Sequence, residues 1–373
     1  MRPGLSSNHV RSAAGDRGRA LSGPLIAGAD IGGTKIAVAL ADERGIIARR
    51  SAPTPLSGPA AAVANRVLEL LDTCIEHAGL SRGHLNALGV ASCGPFKKTD
   101  EGLALVAPNL CGALNPAGHL GNDWTAIPLQ AALRDVAAVV RIENDAVAAL
   151  VAESRLGTLR GCRHAAYLTW STGIGVGLMV DGHVLRGKAG NAGHAGHMVG
   201  AHVSAHSNHA EGLPAAAHAG AVADAYVAIP TCGCGNRGDI EAVSSGSGLA
   251  RRWGKPVADL FEAADRGDAR AQTLINDALE HVSALIYNLI ITLDLERIAV
   301  GGGLFHAQQN RLLPALRDKV FNHPSRCGLG ALTADVDIQA VHNARHTADL
   351  AALCLVMPDS WQDEGILEWE ALQ

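Results

Sequence analysis

The stretch NAGHAGHMVG at 191–200 sets His194 and His197 three residues apart, and TCGCGNRGDIEA at 231–242 sets Cys232 and Cys234 two apart. Imidazole nitrogen and thiolate sulfur are the donors that zinc prefers. A neutral imidazole also offers one hydrogen-bond donor and one acceptor, which suits sugar hydroxyls. A glycine-rich loop that merely contains histidines is the third reading of the same residues. His202, His206, His209 and His218 sit among Ala and Gly and read as solvated side chains.

Three glycine clusters point to other chemistry. In DIGGTK, Asp30–Lys35, the pair Gly32 and Gly33 lets N–H groups point into a concave turn that suits phosphate oxygens. Thr34 adds a hydroxyl donor, and Asp30 could hold a Mg²⁺-bound water beside them. An ordinary hairpin turn accounts for the same residues. The GxxxxGK[ST] pattern is absent, and a strand follows rather than a helix. STGIGVG, Ser171–Gly177, repeats that layout with GxGxG spacing, a poor match to a dinucleotide turn. Gly301–Gly303 leaves bare backbone that would admit a flat nucleoside. In ENDA, Glu143–Ala146, Asp145 stands at a strand-to-helix turn. A carboxylate there either caps the helix or takes a proton from a hydroxyl nucleophile. Phosphoryl transfer requires little beyond a positioned base, Mg²⁺ and phosphate cradles.

The elements that must hold these residues alternate. LIAGADIGGTKIAVALADERGIIARRSAP reads as strand, glycine turn, strand, turn, strand. The apolar spacing over 60–78 predicts a helix ending at Gly79. ALGVASCGP is a short buried strand, 100–125 a long loop, and AAVVRIENDAVAALVAESRLG a strand, a polar turn and a helix. The hairpin layout of 25–50 then returns at 165–187, a duplication of arrangement rather than identity. Residues 198–230 form an Ala/His-rich insertion, 240–293 are largely helical, and RIAVGGGLF is a strand running into a glycine turn. A last strand, DVDIQAV, and a last helix, TADLAALCLVM, precede Pro358. Strands alternating with helices give an α/β class, and hairpins ahead of helices in both halves predict mixed sheets.

Composition excludes some functions. The 373 residues are 48% hydrophobic and 18% charged, enough for a sizeable core in two domains. A net charge of −5 gives no electrostatic case for nucleic acid. Six of the eight cysteines are scattered singly, which suits a reducing cytoplasm better than a disulfide framework. The opening 24 residues are polar and Gly/Ser-rich, expected to be a disordered tail without a signal peptide, and no apolar run predicts a membrane span.

Taken in order, DIGGTK, ENDA, STGIGVG, GNAGHAGHM, CGCGNRGDIEA and AVGGG resemble the ROK family of sugar kinases and related repressors, from about Leu25 to Met357. The resemblance implies an actin/hexokinase-like ATPase (ribonuclease H-like) fold of two domains with duplicated mixed β-sheet units. The smaller domain would span 25–140 with the helix at 347–357 packing back on it, the larger 141–346, and 358–373 would be a tail. The active site would lie in the cleft between them.

The resemblance also implies an ATP- and Mg²⁺-dependent kinase acting on O6 of a hexose, glucose or an N-acetylhexosamine such as N-acetylmannosamine. Asp145 would be the catalytic base. Gly94, Asn109, Asn144, His194, His197 and Glu241 would join it at the sugar. Asp30, Gly32, Gly33, Thr34, Lys35, Thr172 and Gly173 would serve ATP and Mg²⁺, with Gly301 and Gly302 lining the adenosine pocket. His197, Cys232 and Cys234 would hold structural Zn²⁺, with Asp239 standing where the family places a third cysteine. His194 stands where the family usually has Glu, as in bacterial N-acetylmannosamine kinases. The expected partners are the sugar, ATP and a second copy of the chain in a homodimer, with no nucleic acid and no membrane. A sugar-responsive repressor would need a helix-turn-helix domain, for which the 24 residues before Leu25 are too few. A silent sugar-binding module is the remaining alternative.

Overall fold

The computed structural model describes residues 21, 23–116, 118, 120–200, 229–341 and 347–362. Most of the expected tail over 1–24 and of the expected insertion over 198–230, namely 1–20, 22 and 201–228, lies outside the described residues, as does the chain from 363.

β1 (Leu25–Ile31), β2 (Lys35–Asp42) and β3 (Gly45–Pro53) form an antiparallel meander. α1 (Ala62–His77) follows, then β4 (Leu85–Ser92), which pairs in parallel with β1. β5 (Phe96–Thr99) and β6 (Gly102–Leu105) make a small hairpin where a long loop was expected. After α2 (Leu129–Leu133), β7 (Val139–Asn144) pairs in parallel with β4, giving the sheet order β3-β2-β1-β4-β7. β1 is apolar along nearly its whole length because both faces are covered. Ala27, Ala29 and Ile31 pack with Val63, Val67 and Leu71 of α1 in one core cluster. Ile26 belongs to a second cluster with Leu353 and Cys354.

α3 (Asp145–Leu156) leads into the second sheet. Its strands are β8 (Ala165–Trp170), β9 (Ile174–Val180), the short β10 (His183–Val184), β11 (Arg297–Gly301) and β12 (Asp337–Ala340), in the order β10-β9-β8-β11-β12. The second order repeats the first: a meander, then two strands added in parallel. Between β10 and β11 run α4 (Ile240–Ser244), α5 (Gly246–Trp253), α6 (Val257–Asp265) and α7 (Ala269–Leu293). α7 is long and apolar enough to cross a membrane, but 56% of its most apolar window is buried, as in a core helix. α8 (Gly303–Ala307), α9 (Gln309–Phe321), α10 (Gly330–Thr333) and α11 (Thr347–Cys354) complete the described helices.

The chain divides into two compact units, one of residues up to Arg163 with Gly177–Gly193 and everything from Val341, the other of His164–Val176 and His194–Ala340. The boundary therefore falls later than the expected residue 140, because α3 packs on α11 and stays with the first unit. The chain past Pro358 is also not a loose tail at its start. Trp361 is 3% exposed and packs with Leu353 and Met357.

α11 lies against the backbone of β1 and β4. A Cβ added at Gly28 would meet Leu353 N at 2.8 Å, and one at Gly89 would meet Ala352 O at 1.9 Å. Gly89→Ala must therefore push α11 off the sheet. It is expected to cost about 2–3 kcal/mol or more of unfolding free energy. Gly83→Ala, where a Cβ meets only Ser81 Oγ at 3.8 Å, should stay within about 0.5 kcal/mol. Urea denaturation of the two variants is the measurement, and equal midpoints would refute the packing argument.

Candidate functional site

The parallel register of the first sheet levels three strand ends. Ile31 pairs with Ser92, and Ser92 with Asn144. The loops that leave those ends carry Gly32–Thr34, Cys93–Gly94 and Asn144–Asp145, so three of the sequence-selected groups gather at one sheet edge of the first unit. Carboxyl ends of parallel strands are where open α/β sheets bind ligands.

The glycine turn there is braced from behind. Gly32 N–H donates to Lys35 O at 3.0 Å, Thr54 N–H to Thr34 O at 3.0 Å, and Thr54 Oγ1 to Gly32 O at 2.7 Å. The N–H groups of Gly33 and Thr34 have no acceptor among the described residues. Carbonyls tied back and successive amides left open are the makings of an anion nest. Lys35, exposed, opens β2 directly after the turn. Asn109 closes over the turn: a Cβ at Gly33 would come 2.7 Å from its Nδ2.

Asn144, 8% exposed, is the N-cap of α3, and its side chain accepts from Ala146 N–H at 3.0 Å. Asp145 is the first helical residue, is exposed, and also accepts from Ala146 N–H at 2.8 Å. The capping position is thus filled by its neighbour. Burial, and then the charges of Asp145 and Asp349, push the Asp30 carboxyl up to about 7 against the opposing pull of Lys35 and Arg49. Asp349, 4% exposed on α11, is held by Arg49 Nε at 2.6 Å. Burial, with Asp145 next, pushes the Cys93 thiol up to about 12, against hydrogen bonds to Ser92 and Asn109. The carboxylates Asp30, Asp145 and Asp349 thus face Lys35 and Arg49 at this edge.

The second unit holds a matching turn. Gly301 pairs in parallel with Thr169, so the chain leaves β8 and β11 at the same level. Gly246 N–H donates to Ser171 O at 2.7 Å, and Ser247 reaches Thr172 O through N–H at 3.2 Å and Oγ at 2.6 Å. The N–H groups of Thr172 and Gly173 have no acceptor among the described residues. A cavity of about 460 Å³ opens beside this turn, lined by Thr172, Ser247, Val257, Phe261, Gly303 and Leu304 among others. Gly301 belongs to β11 and Gly302 does not line the cavity. Gly302, at φ +100°, lets the chain pass Trp170, whose O would lie 2.6 Å from a Cβ there. Ser247, Val257 and Phe261 were missed from the sequence. The signal was SSGSG at 244–248, which interrupts the helical spacing read over 240–293.

The same unit answers for the histidines. Although 201–228 intervene, Val199 bridges Asp239, and Ile240 N–H donates to Met198 O at 3.1 Å, so the two loops lie side by side. The ligand atoms of His197, Cys232, Cys234 and Asp239 all fall within 4.8 Å of one another. His197 Nδ1 is 3.7 Å from Cys232 Sγ, 3.5 Å from Cys234 Sγ and 3.0 Å from Asp239 Oδ2. A tetrahedral zinc with bonds of about 2.3 Å to sulfur and about 2.0–2.1 Å to nitrogen separates such atoms by roughly 3.5–3.6 Å. The set fits zinc in donor type and spacing. Asp239, 1% exposed, also caps α4, since its Oδ1 accepts from Ala242 N–H at 2.7 Å. Burial raises the Asp239 carboxyl, but hydrogen bonds from His197 and Ala242 bring it below its usual range. His194 stacks on His197 with ring centroids 6.2 Å apart.

Glu241 does not stand alone in this region. Ile174 N–H donates to its Oε2 at 2.8 Å, and the Cys232 thiol to its Oε1 at 3.4 Å.

A model of the ROK family matches residues 26–352. An N-acetylmannosamine kinase of Vibrio vulnificus (strain CMCP6) is 31% identical over 283 residues, 74% of this chain and 81% of its own. The ROK hexokinase of Thermus thermophilus is 25% identical and superposes with a TM-score of 0.64 over 88% of this chain and 97% of that one. A ROK family glucokinase from Streptomyces griseus, solved in complex with glucose and AMPPNP, is 24% identical, with a TM-score of 0.60 over 89% and 98%. The shared architecture is the actin/hexokinase-like ATPase fold.

Proposed function

Because this chain belongs to the ROK family, we propose that it transfers the γ-phosphoryl group of ATP to O6 of an N-acetylhexosamine, with N-acetylmannosamine as its preferred substrate. The observation that carries the reading is the sheet edge at which an exposed Asp145 shares one strand-end level with the open amides of Gly33 and Thr34. Helix capping by Asn144 supports a chemical role for Asp145, since the helix does not depend on it alone.

In this reading Asp145 accepts the proton of the sugar O6 hydroxyl. The oxygen bonds to the γ-phosphorus, the bond from phosphorus to the bridging oxygen breaks, and ADP leaves with that electron pair. Gly33 and Thr34, and separately Thr172 and Gly173, donate to phosphate oxygens, while Lys35 adds a positive charge; Gly32, whose N–H is taken by Lys35 O, shapes the turn. The cavity lined by Phe261, Val257 and Leu304 takes the adenosine. Mg²⁺, held through water by Asp30, would offset phosphate charge. A cation there would also offset the burial and the neighbouring carboxylates that raise Asp30.

Gly94, Asn109, Asn144, His194, His197 and Glu241 bind the sugar. His194 offers both a donor and an acceptor where a glutamate offers acceptors alone. The relatives named N-acetylmannosamine kinase support the choice of sugar. The likeness to a ROK hexokinase keeps a plain hexose, such as glucose, as the second reading.

A coupled kinase assay over glucose, mannose, N-acetylglucosamine, N-acetylmannosamine and fructose tests the substrate, with the highest kcat/KM expected for N-acetylmannosamine. Asp145→Asn should lower kcat by roughly 10²–10⁴-fold with far less change in sugar affinity. A near-normal kcat would reduce Asp145 to a structural role. His194→Glu should shift the relative kcat/KM among these sugars by about tenfold. An unchanged ranking would remove His194 from sugar reading. For zinc, protein purified without a His-tag or added metal is expected to carry about one equivalent. The metal should be lost in Cys232→Ser and resist chelator better in Asp239→Cys, because thiolate is the softer ligand. Metal-free protein with full activity would sink the zinc assignment.

A further inference from the structure

Two strand-end loops of the first unit, Cys93–Gly94 and Asn144–Asp145, are gripped by one short piece of chain, residues 186–192. Arg186 Nε lies 2.6 Å from Glu143 Oε1, and Glu143 is the residue before Asn144. Asn191 takes both backbone groups of Phe96, two residues past Gly94. Phe96 N–H donates to Asn191 Oδ1 at 2.7 Å, and Asn191 Nδ2 donates to Phe96 O at 2.7 Å. The piece is closed on itself, since Ala192 N–H donates to Arg186 O at 3.1 Å. It also lies close: a Cβ on Gly190, at φ +80°, would come 3.8 Å from the Phe96 ring.

We propose that Asn191 is a positioning residue for the sugar: its side-chain amide stands in for a third strand beside β5 and fixes the Cys93–Gly94 loop relative to Asn144 and Asp145. The proposal rests on the reading of this edge as the sugar side of a kinase.

The register of the β5–β6 hairpin explains how one side chain does this. Val106 N–H donates to Pro95 O at 2.9 Å, so Pro95 faces β6 and the next residue, Phe96, turns its N–H and C=O outward. Opposite it, Leu105 turns the other way and exchanges both bonds with Ile127, at 2.9 and 2.8 Å. Phe96 thus presents the donor and acceptor of a strand edge. A carboxamide carries a donor and an acceptor side by side and meets both, where a carboxylate offers no donor and an alkyl group offers neither. The Phe96 ring is buried in the core with Leu105 and Ile127, which places the residue. The paired amide adds the rotation of its peptide planes, and with it the direction of the chain behind. At the near end of the loop, Cys93 N–H is held by Ile31 O at 3.2 Å, and Ser92 is level with Asn144. Gly94 therefore lies between two moorings, one made by β1 and the other by Asn191.

The experiment compares Asn191→Ala, Asn191→Leu and Asn191→Asp with the unaltered protein. Hydrogen exchange at the Phe96 amide is read without ligand, and the Kd of a non-hydrolysable ATP analogue without sugar. Sugar KM and kcat are read in the kinase assay with N-acetylmannosamine. Asn191→Ala removes both bonds to Phe96, so exchange there and sugar KM should each rise about tenfold. The analogue Kd and kcat should stay within about threefold, because Asp145 and both glycine turns are untouched. Asn191→Asp keeps an acceptor for Phe96 N–H but sets a carboxylate against Phe96 O. Its sugar KM should rise while exchange stays near that of the unaltered protein. Asn191→Leu keeps the volume and loses both bonds, so it decides by itself if Asn191→Ala fails to fold. Unchanged exchange or unchanged sugar KM in the apolar variant overturns the proposal, and so does an unchanged sugar KM in Asn191→Asp. A sugar KM that rises without faster exchange in the apolar variant would put Asn191 on the sugar itself, which also overturns it. A tenfold loss in kcat and analogue Kd together with KM marks general damage and overturns it too. Should the unaltered protein phosphorylate no sugar, the kinase reading falls, and the N-acetylmannosamine Kd by calorimetry takes the place of KM in the same comparison. If that sugar is not bound at all, the positioning role falls as well, whatever the exchange at Phe96.

Discussion

The parallel hydrogen-bond register is the constraint on which the rest depends. Two parallel strands cannot be joined by a tight turn, so β4 and β7 each arrive by a crossover, run in the direction of β1 and end at the same edge as it. Ile31, Ser92 and Asn144 are level because the ladder makes them so. Thr169 and Gly301 are level for the same reason in the other sheet. Residues more than a hundred positions apart thus share an edge without a direct bond between them. A slip of one residue in β4 or β7 would turn Asn144 to the other face and dissolve the grouping.

The edge is useful because its backbone is only half satisfied. In both glycine turns the carbonyls are occupied by Thr54, or by Gly246 and Ser247, while two successive amides stay open. The acidic neighbours work the other way: burial first, and then the charges of Asp145 and Asp349, raise Asp30 to about 7. Open donors beside crowded carboxylates suit a ligand that brings phosphate oxygens and a counter-cation together.

What could be read from the sequence was local. Both glycine turns, the strand-to-turn-to-helix run through Asn144 and Asp145, and the repeated meander follow from neighbours within a dozen residues. So do the soft donors His197, Cys232 and Cys234, whose meeting across 201–228 was carried by their resemblance to a known ligand pattern. What could not be read depended on distant contacts. The unit boundary moved because α3 packs on α11, a contact between distant parts of the chain. The β5–β6 hairpin hid in a stretch without strand alternation. Trp361 looked like part of a polar tail until Leu353 and Met357 covered it.

Asp239 carries two obligations on one carboxylate, a helix cap through Oδ1 and a place among the cluster donors through Oδ2. A sulfur in its place could meet the second and would surrender the first, because a thiolate bound to metal makes a poor cap for Ala242. The donor set of the cluster and the start of α4 are therefore not independent, because one side chain serves both.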